Sequence, residues 1–129
     1  MKTENEQRIV KAAPNIHRDI YGDPAKTCMA WGFEVGNGWF SPILEASVKL
    51  EALIDKAPDL RVAQVKEKFG ELRFYVEGCN SEVAEEIYKI IEEAEDVCRK
   101  LCEDCGSPGK LRNNHGWFST LCDTCAPVV

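Results

Sequence analysis

The chain has 129 residues, 44% of them apolar and 29% charged, enough to close one hydrophobic core and too short for two full domains. Sixteen Lys and Arg against 22 Asp and Glu leave a formal charge of −6 at pH 7, which repels nucleic acid and anionic membranes wherever no basic patch intervenes. The sequence has neither an apolar leader nor a run of 18 apolar residues, so a soluble, cytoplasmic protein without a membrane role is expected.

Thr3-Glu4-Asn5-Glu6 has the form of a capping box before a short helix that Pro14 stops. From Pro14 to Lys26, polar residues with Gly22 and Pro24 break every period and predict a loop, so residues 1–27 form an N-terminal segment outside the core. Met29, Trp31, Phe33 and Val35 then alternate with Ala30, Gly32 and Glu34 as in a half-buried strand. After the turn at Gly36-Asn37-Gly38, Ser41 and Pro42 suit an N-cap and first helical position, and Ile43, Ala46, Ser47, Leu50, Leu53 and Ile54 line one helical side before Pro58.

Residues 61–77 read as a hairpin turning at Gly70, with Ala63, Val65 and Phe69 on one parity and Leu72, Phe74 and Val76 on the returning strand. The most periodic segment is 81–101, where Val83, Ile87, Ile90, Ile91, Ala94, Val97, Cys98 and Leu101 form an apolar stripe. It also carries seven acidic and three basic residues. Residues 28–101 are therefore expected to form an α+β core, a small antiparallel three-stranded sheet covered by two helices.

Cys102-Glu103-Asp104-Cys105 and Cys122-Asp123-Thr124-Cys125 are two C-x-x-C pairs sixteen residues apart, a spacing that points two thiolate pairs at one tetrahedral ion. Two disulfides, or a redox C-x-x-C on a thioredoxin-like unit, are the competing readings. A reducing compartment disfavours the first, and the absence of a βαβ pattern disfavours the second. Gly106, Pro108 and Gly109 permit a tight knuckle, and 110–112 and 117–121 can pair around Asn113-Asn114-His115-Gly116.

Residues 102–129 are thus expected to fold as a zinc ribbon or a treble-clef-like zinc finger with Cys102, Cys105, Cys122 and Cys125 as ligands. Four protein thiolates leave no place for a water, so the Zn²⁺ is structural. Cys98 falls on the apolar stripe and reads as a buried thiol, and His115 reads as a polar turn residue. Four thiolates and one Zn²⁺ add two negative charges, taking −6 to about −8.

No nucleophile, acid and base can be assembled around His17 or His115, so no enzyme is expected. Partner contact has two candidate surfaces. One is the acidic helix face with Glu85, Glu86, Glu92 and Glu93; the other is an aromatic cluster with Trp31 and Trp39, whose plainer reading is core. Nucleic-acid binding by a zinc ribbon is the alternative function, as a transcriptional or DNA-processing accessory. Lys110 and Arg112 are the module's fixed cations, joined by Arg61, Lys66, Lys68 and Arg73 on the hairpin.

Three stretches carry a resemblance. They are Cys28-Met29-Ala30-Trp31-Gly32-Phe33-Glu34 with Gly38-Trp39; Gln64 to Gly70 with Leu72-Arg73-Phe74-Tyr75; and Cys102-Glu103-x-Cys105-Gly106-x-Pro108-Gly109 with Gly116-Trp117 and Thr120-Leu121-Cys122. Over roughly 28–126 the chain resembles a family of small proteins of tailed bacteriophages and prophages to which no activity is attached. Some members end in Cys-x-x-His where Cys125 stands here, which exchanges one zinc ligand for another. Such small phage accessory proteins often bind host machinery, defence nucleases such as CRISPR effectors included. The resemblance therefore implies an inhibitor or modulator of a host protein complex, of the anti-CRISPR or another anti-defence kind.

Overall fold

A helix between the first and second strands decides the topology. In the computed structural model, which describes residues 1–127, β1 (Phe33–Glu34) is followed by α2 (Phe40–Glu51) and then β2 (Arg61–Lys68), with α1 (Thr3–Ala12) ahead of all three. A helical crossover returns the chain in its original direction, so β1 pairs parallel with β2, Phe33 opposite Val65. Within this sheet only β2 and β3 (Glu71–Glu77) are antiparallel. The fold is α+β as expected, with a sheet ordered β1-β2-β3, mixed instead of antiparallel and containing a short βαβ unit.

The first expected strand is mostly absent because its alternation has a different origin. Cys28–Trp31 is a 3-10 turn, and Gly32 at φ 71 redirects the chain before Phe33. Met29, Phe33 and Val35 are buried, whereas Trp31 faces solvent. Another 3-10 turn, Asn37–Trp39, runs directly into α2, so the helix starts at Phe40 and Ser41 is not its cap. Pro42 still fits in the first turn, where the amide it lacks would have no helical acceptor.

α1 has no side-chain cap. Glu6 is drawn into the core instead of closing a capping box, accepting from the Phe33 amide at 2.7 Å and the Tyr21 hydroxyl at 2.5 Å. The following segment is ordered by long-range polar contacts in place of periodicity. The Glu51 carboxylate accepts from the Asn15 and Ile16 amides, Arg18 donates to the Pro58 and Leu60 carbonyls, and Val62 N donates to Ile16 O at 2.7 Å. Ile9, Ala13 and Ile16 belong to the same apolar cluster as Ile43, Leu50, Val65 and Ile87, with Ile20 packed against it, so the chain up to Ile20 is integral to the core.

In the hairpin, a register shift between Val62 and Gln64 puts Val62 and Val65 together on the buried side and leaves Ala63 half-buried. Leu72 and Phe74 are buried as their parity predicts. Phe69 is not: it occupies the turn, with φ 56 beside Gly70 at φ 79. α3 (Ala84–Cys98) packs on α2 and β3 through Ile87, Ile91, Ala94 and Cys98.

His17 is a titratable side chain buried in this core. It is 1% exposed, with Nε2 2.9 Å from Ser47 Oγ and Nδ1 without a partner. Burial pushes it from 6.5 down to about 4. The native state holds the neutral ring, so its contribution is complete above about pH 6.5 and is lost as the pH falls through 4, about 3 kcal/mol in all. Thermal melts across that window should show a flatter pH dependence for His17→Gln than for the parent. Identical slopes would remove this assignment.

Candidate metal centre

Beyond α3 the chain turns sharply at the first C-x-x-C pair. Cys102 N donates to Ser107 O at 2.7 Å and Gly106 N donates to Cys102 O at 2.9 Å; this tight loop needs Gly106 at φ 81. β4 (Lys110–Asn114) and β5 (Trp117–Leu121) then form the expected hairpin, one arm two residues longer than the pattern gave. His115 and Gly116, both at positive φ, make its two-residue turn. The second pair follows in a single turn, with Ala126 N donating to Cys122 O at 3.0 Å.

This path brings the four sulfurs of Cys102, Cys105, Cys122 and Cys125 within 4.8 Å of one another, and those of Cys105 and Cys122 to 3.6 Å. A tetrahedron of sulfurs at the usual zinc–sulfur distance of about 2.3 Å has edges of about 3.8 Å. The donor set therefore fits a soft divalent ion, and the cluster could hold a metal. Cys102 is buried, Cys105 is exposed and the other two are half-buried.

Hydrogen bonds from Ser107, side chain and backbone, and then from Cys122 bring the Cys105 thiol down to about 6. Cys125 is pushed the other way by the sulfurs of Cys122, Cys105 and Cys102. Such a group ionises fully only with a cation to share its charge. Cys98 stands apart in the core, its thiol raised to about 12 by burial, and is not a ligand.

The module is fastened to the core through backbone. Gly38 N donates to Glu103 O at 2.9 Å, and the Trp39 indole donates to Leu101 O at 3.0 Å. A Cβ on Gly38 would lie 2.0 Å from Cys102 O and one on Gly36 2.1 Å from Glu103 O. On the far side, Thr120 donates from its hydroxyl to Gly70 O at 2.6 Å and from its amide to Glu103 at 3.0 Å. These contacts join residues 17 to 67 positions apart. Pattern reading gave Gly36 and Gly38 only a turn and Thr120 no role, since no local signal marks such a contact.

Trp39 is wholly buried, so it is unavailable to a partner, while Trp31 is 68% exposed. Glu85, Glu86, Glu92 and Glu93 are exposed on α3, with Glu93 3.9 Å from Lys49 of α2. Arg112 donates to Leu121 O and to Asp123 at 2.7 Å, so its charge is already engaged. The sequence reading overlooked two further exposed aromatics, Trp117 at 75% and Phe69 at 62%, with Leu111 at 53%. Phe69 meets Phe118 edge to face across the two hairpin tips. The sign that could have flagged Phe69 is its place in a two-residue Phe-Gly turn, where its strand parity does not apply.

No helix among the described residues is long and apolar enough to cross a membrane. Comparison with protein-family models, curated proteins and solved structures gave no match.

Proposed function

We propose that the chain is a non-enzymatic binding protein of phage origin, stabilised by one structural Zn²⁺, that modulates or inhibits a host protein complex in the bacterial cytoplasm. Four thiolates at tetrahedral spacing suit Zn²⁺, and two C-x-x-C turns flanking a hairpin support a zinc ribbon or short treble-clef-like finger. The only close histidine–hydroxyl pair among the described residues, His17 and Ser47, is sealed in the core, which leaves a substrate no access to it.

The observation that carries the binding role is Phe69. An aromatic side chain at positive φ costs roughly 1–2 kcal/mol against glycine, and 62% of this one faces water. Neither backbone preference nor burial favours phenylalanine there. With Trp117 beside it at the second tip and Leu111 of β4 against Gly70, the surface has the composition of an interface anchor. Engagement of Arg112 by Asp123 and the charge of −6 favour protein over nucleic acid. The resemblance to phage proteins supports a host partner, with a defence nuclease such as a CRISPR effector the first to test.

Asparagine tolerates the turn conformation. Phe69→Asn is therefore expected to keep its stability within about 1 kcal/mol, by thermal melting, and to lose the host protein that the parent captures from bacterial lysate. Equal capture by Phe69→Asn and by Trp117→Ala would contradict the tips as the contact surface. Recovery of nucleic acid alone would contradict the protein partner.

A further inference from the structure

A cleft of about 160 Å³ opens between the hairpin tips, walled by Phe69, Trp117 and Phe118 and completed by Glu67 and Gly116. The rings of Phe69 and Phe118 stand at 86° with centroids 6.4 Å apart, so two aromatic walls meet almost at a right angle. Gly116 has no neighbour within 4 Å of where a side chain would begin, leaving that side open.

Aromatic faces carry negative charge density and attract cations within about 6 Å of the ring centre. One wall already does so: Lys68 Nζ lies 5.7 Å from the Phe69 centroid. Glu67 accepts from the Gly70 amide at 2.7 Å, which fixes its carboxylate beside the cleft. It takes part in none of the ion pairs among the described residues. Three aromatic walls with an unpaired carboxylate favour a cation and repel a phosphate.

We infer that this cleft holds a positively charged side chain of the protein partner, a lysine ammonium, free or methylated, or an arginine guanidinium. The inference rests on the binding role proposed above and names the chemistry that the two tips recognise. Lys68 is the internal competitor for the Phe69 face.

The test titrates the full zinc-loaded chain with capped trimethyllysine, its neutral carbon isostere, capped arginine and a single-stranded oligonucleotide, following the Gly116 amide and Trp117 indole resonances. At least one cation should shift both signals, with the isostere about fivefold weaker or more. Glu67→Gln, which keeps an acceptor for Gly70, should weaken the cation a further two- to fivefold, and Lys68→Met should not weaken it. Trp117→Ala should lose about tenfold. Equal binding of the isostere, binding of the oligonucleotide without the cations, or no shift with either cation overturns the inference. Host-protein capture unaffected by Trp117→Ala would overturn the cleft and leave the binding role standing; selective cation binding by a chain that captures no host protein would do the reverse.

Discussion

Stripping the proposed zinc with a strong chelator is expected to collapse the amide signals of residues 102–125 and to disturb the core they touch. Zinc in sites of this kind contributes roughly 10–16 kcal/mol in model peptides, against roughly 5–15 kcal/mol for the stability of a whole domain. Without the ion, four crowded thiols must protonate, and the first knuckle loses the geometry that presents Glu103 O to Gly38 and Leu101 O to Trp39. The Trp39 indole, 62 residues from its acceptor, should therefore report metal loss as clearly as the cysteines. A chelated chain whose spectrum matches the loaded one would refute a structural metal.

Gly38→Ala should be among the most damaging single methyl additions to this protein. The new Cβ would sit 2.0 Å from Cys102 O and 2.6 Å from Gly106 N, both backbone atoms of the first knuckle. Neither can swing aside as a flexible side chain would, so the 36–38 loop must withdraw and break the Gly38–Glu103 hydrogen bond. Loss of that bond with the strain is expected to cost about 3 kcal/mol or more. Because the loop supports the ligand backbone, zinc affinity should fall about 10–100-fold. Denaturant midpoints and competition with a chromogenic chelator measure the two effects. Parent-like values in both would show that the knuckle does not depend on the loop.

What the sequence made legible was local. Ile87, Ile91, Ala94 and Cys98 recur at helical spacing, and the two C-x-x-C pairs announce converging sulfurs through their own spacing. Strand direction was hidden because alternation in 29–35 looks the same in a parallel strand, an antiparallel strand or a 3-10 turn. Only the intervening helix forces the parallel pairing of Phe33 with Val65. Residues 14–26 read only as a loop because their order comes from Glu51 and Arg18 bonding to backbone, which leaves no periodic trace.

The exposure of the aromatics was hidden for a related reason. Phe69 continues the parity of Val65 on paper, but the two-residue turn carries it out of the core. Trp39 went the opposite way, buried by an indole bond to a carbonyl that no window of neighbouring residues contains. The aromatic side chains of the two hairpins come together only once Thr120, on β5, has tied its hairpin to the turn of the first at Gly70.

The four-sulfur centre organises all of this, and X-ray absorption at the zinc edge of the loaded chain tests it most directly. The account predicts one zinc per chain with four sulfurs at about 2.3 Å and no light-atom ligand. A fitted nitrogen or oxygen in place of a sulfur, or a chain that binds no zinc with all its thiols reduced, would contradict it.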